Sequence, residues 1–174
     1  MGLGRYIKGV MSRLAPGGAA ANGARSAKAR RIRGLPDRRV MAESYVPALA
    51  ADGGRILWVG CREYTLDDYA ALEANVCEAD ALFGDLTFDA VVCNGVLGYG
   101  VDSPEQQRRA LAALAAVLRP GGRLLLGWNT DKIDDPVAAG LTAPAFAPAP
   151  LGDRPTRVGF DAVTHVYDSL IRRA

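Results

Sequence analysis

Apolar and polar positions change period twice between Phe88 and Asn129. Asp89–Cys93 is a short Val-rich run, too short for a helix and apolar throughout, which predicts a strand buried on both faces and closed by Asn94 and Gly95. From Ser103 the period lengthens: Ala110, Leu111, Leu114, Val117 and Leu118 share one helical face, with Arg108, Arg109 and Arg119 off it. Ser103 fits an N-cap, Pro104 the first helical position and Gln106 the return arm of a capping box. Pro120–Gly121–Gly122 stops the helix, and Arg123–Trp128 begins a second buried strand. Strand, helix and strand in this order make a βαβ unit with parallel strands and a right-handed crossover.

Outside this unit the signals are shorter. Val40, Met41, Tyr45 and Leu49 predict a helix over Pro36–Ala51, and Asp52–Gly53–Gly54 a turn into a strand over Arg55–Gly60. Thr65 and Asp68 suit a capped helix start, giving a helix from Leu66 to about Ala74, followed by a short strand near Asn75–Cys77. Asp134–Asp135–Pro136 predicts a short helix ending at Gly140; the Pro144–Pro150 stretch reads as a loop, whose Phe146 suits covering the sheet better than lining a substrate pocket. Arg157–Phe160 and Val163–Ile171 are the last strand candidates. Near the N-terminus, Leu3, Tyr6, Ile7, Val10, Met11 and Leu14 follow helical spacing up to Pro16–Gly17–Gly18. The chain therefore divides into a basic amphipathic arm and linker over residues 1–35 and an α/β domain over residues 36–174.

The Phe88–Asn129 stretch resembles the class I S-adenosylmethionine-dependent methyltransferases, type 11-like. Phe88, Asp89, Val91 and Val92 match the family's fourth-strand pattern; Leu118–Leu126 (LRPGGRLLL) matches its turn into the fifth strand. The resemblance implies an α/β, Rossmann-like sandwich with a mostly parallel sheet and an antiparallel last strand, Thr164–Tyr167, inserted beside the fifth. It implies S-adenosylmethionine as cofactor, bound outside the carboxyl ends of the strands, where Gly60, Asp80 and Asn94 should converge. Cofactor candidates on this basis are Gly60, Cys61 and Glu63 after the first strand, Glu78 and the Asp80–Ala81–Leu82 loop, and Asn94 and Gly95. Asp80 would meet the adenine amino group, and Tyr99 would contact the acceptor.

Two departures stand out. Arg62 and Tyr64 occupy positions where the family has glycine, and Trp58 stands where it has an acidic residue. Only 27 residues separate Gly60 from Phe88, whereas one βαβ unit alone takes about 30. The expected sheet is therefore shortened by about one βα unit, with the second strand and its helix absent. No residue pattern supplies a general base. The leading expectation is methyl transfer to an unidentified acceptor; the alternative is a catalytically inactive methyltransferase-like interaction module with a basic docking arm. A nucleotide- or NAD-binding Rossmann protein is a third reading, disfavoured because G-x-G-x-x-G is absent after the first strand.

Composition and charge refine this picture. A chain of 174 residues with 49% hydrophobic content suits one domain with a sizeable core. The first forty residues carry ten basic side chains against Asp37 alone; the remainder carries eleven basic and eighteen acidic. This arm over residues 1–33 suits docking on a partner protein or an anionic membrane surface, and less well nucleic acid. No apolar run approaches the roughly 20 residues of a transmembrane helix, no metal-ligand spacing is present, and Cys61, Cys77 and Cys93 read as reduced thiols of a cytoplasmic protein. His165, the single histidine, reads as structural on its apolar strand.

Overall fold

The computed structural model describes residues 34–60, 70–72 and 75–174, the backbone alone for residues 70–72. The basic arm, Cys61 to Tyr69, and with them Glu63 and the Thr65 cap, lie outside the described residues.

The first helix begins as α1 (Pro36–Val40), widens into a π-helical stretch at Met41–Tyr45 and continues as α2 (Val46–Asp52). Pro47, early in α2, has no N–H to return to the preceding turn; the backbone adapts by a wider ring, the Val46 N–H reaching the Met41 carbonyl. Asp37, Met41, Tyr45 and Leu49, four residues apart, are all buried on the face that meets the sheet.

The sheet consists of β1 (Ile56–Gly60), β2 (Ala70–Leu72), β3 (Phe88–Asn94), β4 (Leu118–Asn129), β5 (Phe146–Pro148), β6 (Arg157–Gly159) and β7 (His165–Arg172). Its order is β2-β1-β3-β4-β7-β5, with β6 pairing on β7. The β2-β1-β3-β4 pairs are parallel, and β7 runs antiparallel to β4 as expected of the inserted last strand. Side chains alternate across it. Leu57, Val59, Val91, Cys93, Leu124 and Leu126 pack under α4 (Pro104–Val117), while Ile56, Trp58, Ala90, Val92, Leu125 and Tyr167 pack against α1 and α2. The result is a helix–sheet–helix sandwich, the fold class expected.

The crossover helix carries the predicted capping box: Ser103 Oγ accepts from the Gln106 N–H at 3.2 Å and Gln106 Oε1 from the Ser103 N–H at 3.0 Å. Asp89, of the Phe88–Asp89 pattern, is a tie. Its carboxylate accepts from Arg119 Nε at 2.7 Å and from the Arg55 N–H at 2.7 Å, joining the entry of β1 to the first residues of β4. The Arg119 hydrogen bond, then that from Arg55, holds its carboxyl below the usual carboxylate range.

Several local expectations are corrected. Ala70–Leu72 is a strand, paired in parallel with Leu57–Val59, where a helix to Ala74 was expected. Val76–Glu78 is a 3-10 turn with Asn75 as its cap, not a strand. Asp80, Ala81 and Leu82 lie in a short helix, α3 (Ala79–Phe83), rather than in a loop. The described strand between β1 and β3 thus lies directly beside β1, in the second-strand position thought empty. The Asp134–Gly140 segment is a capped turn, with Asp135 Oδ1 accepting from the Val137 and Ala138 N–H groups. Within the proline-rich stretch, Phe146–Pro148 pairs with β7 at the sheet edge, where proline is tolerated, and Phe146 is core.

Candidate functional site

One rung of the sheet crosses the carboxyl ends of the parallel strands: Gly60 pairs with Asn94, and Asn94 with Gly127. At both ends of the rung, glycine leaves space that a side chain would fill. A Cβ on Gly60 would stand 2.1 Å from the Asn94 carbonyl oxygen, and the φ of +96° turns the chain out of β1 there. Gly95 follows β3 with a φ of +66°. A Cβ on Gly127 would stand 2.3 Å from Asn94 Oδ1 and 2.9 Å from His165 Nε2. Asn94 and His165 side chains therefore lie over the bare Gly127 backbone, on the sheet face covered by α1.

These residues line a cavity of about 480 Å3 with Asp37, Arg38, Tyr99, Asn129 and Thr164 among its walls. Three buried polar atoms of its lining have neither a hydrogen bond nor an ion pair among the described protein atoms: Asn94 Nδ2, His165 Nε2 and Asp37 Oδ1. A fourth buried atom, Arg38 Nε, is ion-paired to Asp37 Oδ2 at 3.3 Å. Buried polar atoms ordinarily find partners, so three converging on one cavity mark a place where a ligand or ordered water completes the bonding. A larger cavity, about 600 Å3, lies between the start of α4 and the Thr130–Asp134 segment. None of those orphaned atoms belongs to its lining, and the smaller cavity is the better candidate site.

His165 sits across from Asn129 in the β4–β7 register, its Nδ1 3.1 Å from Asn129 Oδ1. Burial pushes its pKa down to about 4, opposed by the nearby Asp37 carboxylate and reinforced by Arg38, so the ring is neutral at neutral pH. The Tyr167 ring packs edge-on at 4.5 Å, and Tyr45 edge-on against Tyr167 at 5.3 Å, which stiffens this wall.

Of the residues expected from sequence, Gly60, Asn94 and Gly95 come together at the strand ends, and Tyr99 is exposed at the cavity wall. Asp80 is on α3 with Oδ1 accepting from Arg109 Nη2 at 3.1 Å, and Ala81 beside it is exposed. Glu78 ends the 3-10 turn, its Oε1 3.4 Å from Asn75 Nδ2. Cys61 and Glu63 lie outside the described residues. Cys93 is buried in the core, its thiol pushed up to about 12 by desolvation, and both it and Cys77 are free thiols. Asp37, Asn129 and His165 are the site residues sequence reasoning did not single out as such. The one signal for them was polarity: Asp37 opens an otherwise basic helix start, and Asn129 and His165 stand at the ends of apolar strands.

The described residues contain no cluster of metal-binding side chains and no helix long and apolar enough to cross a membrane. Both the positive-φ glycine turns at the ends of β1 and β3 and the orphaned Asn94 amide fit a ligand pressed against the backbone there.

Residues 45–126 match a family model described as "Methyltransferase domain". The fold is similar to that of the N-methyltransferase NodS from Bradyrhizobium japonicum WM9, solved with S-adenosyl-L-homocysteine. The TM-score is 0.60 at 16% identity, over 82% of this chain and 90% of that one. It is also similar to a TehB-like SAM-dependent methyltransferase from Corynebacterium glutamicum (TM-score 0.56, 14% identity, 87% of this chain and 100% of that one). A third similar structure is the 1,6-didemethyltoxoflavin-N1-methyltransferase of Burkholderia thailandensis (TM-score 0.50, 16% identity, 91% and 93%). Among curated proteins no sequence matches the chain.

Proposed function

We propose that this chain, whose residues 45–126 match a methyltransferase-domain model and whose fold is similar to that of S-adenosylmethionine-dependent methyltransferases, transfers a methyl group to an acceptor bound in the Asn94–His165 cavity. The observation that supports this most is the Gly60–Asn94–Gly127 rung at the carboxyl ends of parallel strands: glycine turns after β1 and β3, and a bare glycine in β4, beside a buried amide nitrogen with no partner among the described residues. S-adenosylmethionine supplies an activated methyl group on a sulfonium centre, so the protein's task is to orient.

Gly60, Asn94 and Gly95 form the described wall of the cofactor crevice, and Cys61 and Glu63 continue it along the sequence. Asp80 gives Oδ1 to Arg109, which leaves Oδ2 for an adenine amino group, and Glu78 offers its exposed carboxylate to a ribose. Tyr99, exposed beside the cavity, contacts the acceptor. Asn94 links the two halves: its backbone borders Gly60, and its side chain borders Gly127 and His165. The acceptor end is walled by residues of α1, β4 and β7, so hydrogen bonds made there hold the acceptor in one orientation. Incubation with S-adenosylmethionine carrying a labelled methyl group tests this. Label should pass to a component of a small-molecule acceptor panel, and Gly127→Ala should suppress the transfer. Binding of cofactor with no transfer to any panel member by an intact, folded chain would count against the enzyme reading.

A further inference from the structure

The polar atoms of this cavity carry more information than its shape. Asp131, Thr164, Asn129 and His165 form one hydrogen-bonded row along the ends of β4 and β7. The Thr164 hydroxyl donates to Asp131 Oδ1 at 2.6 Å, and that bond is the largest influence holding the Asp131 carboxyl below its ordinary range. An ionised carboxylate only accepts, so the hydroxyl hydrogen is committed to it, and Thr164 presents a lone pair to its other neighbour. Asn129 Nδ2 donates to that lone pair at 3.0 Å. The amide oxygen of Asn129 therefore faces His165 Nδ1 at 3.1 Å, and Nδ1 must carry the imidazole hydrogen. Nε2 is left as a bare lone pair, buried, turned toward Gly127 and without a partner among the described residues.

The second acceptor is Asp37. Its side chain is 6% exposed; Oδ2 pairs with Arg38 Nε at 3.3 Å, and Oδ1 has no partner among the described residues. Two buried donors belong to the lining: Arg38 Nε, turned to Asp37 Oδ2 in that ion pair, and Asn94 Nδ2, which has no partner among the described residues. Among the lining residues, two acceptors thus stand against one uncommitted donor, because Arg38 Nε is engaged with Asp37 and the two charges match. A carboxylate or phosphate would set its lone pairs against those of His165 and Asp37. A nitrogen bearing two or more hydrogens satisfies both.

We propose that the cavity recognises the methyl acceptor through an NH2 or NH3+ group, with His165 Nε2 and Asp37 Oδ1 as its hydrogen-bond acceptors and Asn129 as the residue that fixes the His165 tautomer. The word acceptor rests on the methyl-transfer reading; the amine site rests on the hydrogen-bond row and the orphaned atoms. Burial supports it, since it keeps the ring neutral and its lone pair available.

Because the chain has one histidine, its imidazole nitrogens can be followed without ambiguity in the full-length 15N-labelled protein. The expected spectrum is that of the Nδ1–H tautomer, the minor form of free histidine. Asn129→Ala should shift the population toward Nε2–H, whereas Asn129→Asp, which still accepts from Nδ1, should keep Nδ1–H and raise the pKa. A purely structural role for Asn129 would move both variants alike. Methylammonium, titrated against sodium acetate at equal ionic strength, should displace the Nε2 resonance of the wild type and not that of Asn129→Ala; acetate should displace neither. An Nε2–H tautomer in the wild type, or a response to acetate and none to methylammonium, overturns the inference. S-adenosylhomocysteine added to the same sample separates the two readings. If it binds while methylammonium has no effect, the amine site falls and methyl transfer stands. If methylammonium acts and S-adenosylhomocysteine does not bind, the amine site stands and methyl transfer falls.

Discussion

Gly60 and Asn94 are register partners on the last rung of β1 and β3, so close that a Cβ on Gly60 would lie 2.1 Å from the Asn94 carbonyl oxygen. The strand end can therefore turn only with glycine, and the positive φ of Gly60 adds a second reason. Gly60→Ala should lower stability by about 1–3 kcal/mol and weaken S-adenosylhomocysteine binding at least in proportion. Thermal denaturation and a cofactor titration of the same variant measure the two effects.

Gly127 differs in kind, because its backbone lies in an ordinary strand conformation and only space forbids a side chain. Gly127→Ala should push Asn94 Oδ1 and His165 Nε2 off the rung, at a cost of about 1–3 kcal/mol. Acceptor turnover should fall about tenfold or more, the equivalent of 1.4 kcal/mol. Cofactor affinity, which depends on the other end of the rung, should change little.

The elements that frame the site were readable to different depths. The α4 capping box carries local signals in Ser103 and Gln106, and the strands on either side carry theirs in apolar runs; these are where sequence and structure agree. The exception is that α4 ends at Val117 and β4 begins at Leu118, so Pro120–Gly122 lie inside the strand instead of in a turn before it. Ala70–Leu72 carries no strand signal: two alanines and a leucine favour a helix, and pairing with Leu57–Val59 decides otherwise. Phe146–Pro148 was hidden in the same way, by prolines that only an edge strand tolerates. Asn94 and Gly95 could be found because they end a strong apolar run. His165 could not, because its role depends on Asn129 lying opposite in the antiparallel β4–β7 register and on Gly127 leaving room beside it.

Stability near the site should depend on Arg157. Its guanidinium meets Asp135 at 2.5 Å and the buried Asp168 at 2.6 Å, and Asp168 also accepts from Trp128 Nε1 at 2.8 Å. Asp135 is held below the usual carboxylate range chiefly by this arginine. Arg157→Ala would leave the Asp168 carboxylate buried with only Trp128. A loss of about 3 kcal/mol or more is expected, a drop of roughly 6–12 °C in melting temperature. Asp168→Asn in the same background should recover part of it.

The His165 ring gives a signed dependence on pH. Its folded pKa of about 4 lies below the ordinary 6.5, so between these values the unfolded chain holds more protons than the folded one. Stability contributed by the neutral ring is complete above about pH 6.5 and is lost as pH falls toward 4, by at most about 3 kcal/mol. The charged and titratable groups around it are Asp37 and Arg38 on α1, Tyr99 across the cavity and Tyr167 on β7. Among them, Asp37 opposes the downward shift and Arg38 reinforces it. Denaturant unfolding from pH 8 to pH 4 should show this component in the wild type and lack it in His165→Gln.

The most direct test of the cofactor crevice at the Gly60–Asn94 rung is calorimetric titration of S-adenosylhomocysteine into the full chain, with circular dichroism on the same sample. Saturable one-to-one binding in the micromolar range, weakened by Gly60→Ala and spared by Gly127→Ala, is the predicted result. A folded chain that takes up no S-adenosylhomocysteine at millimolar concentration would contradict it.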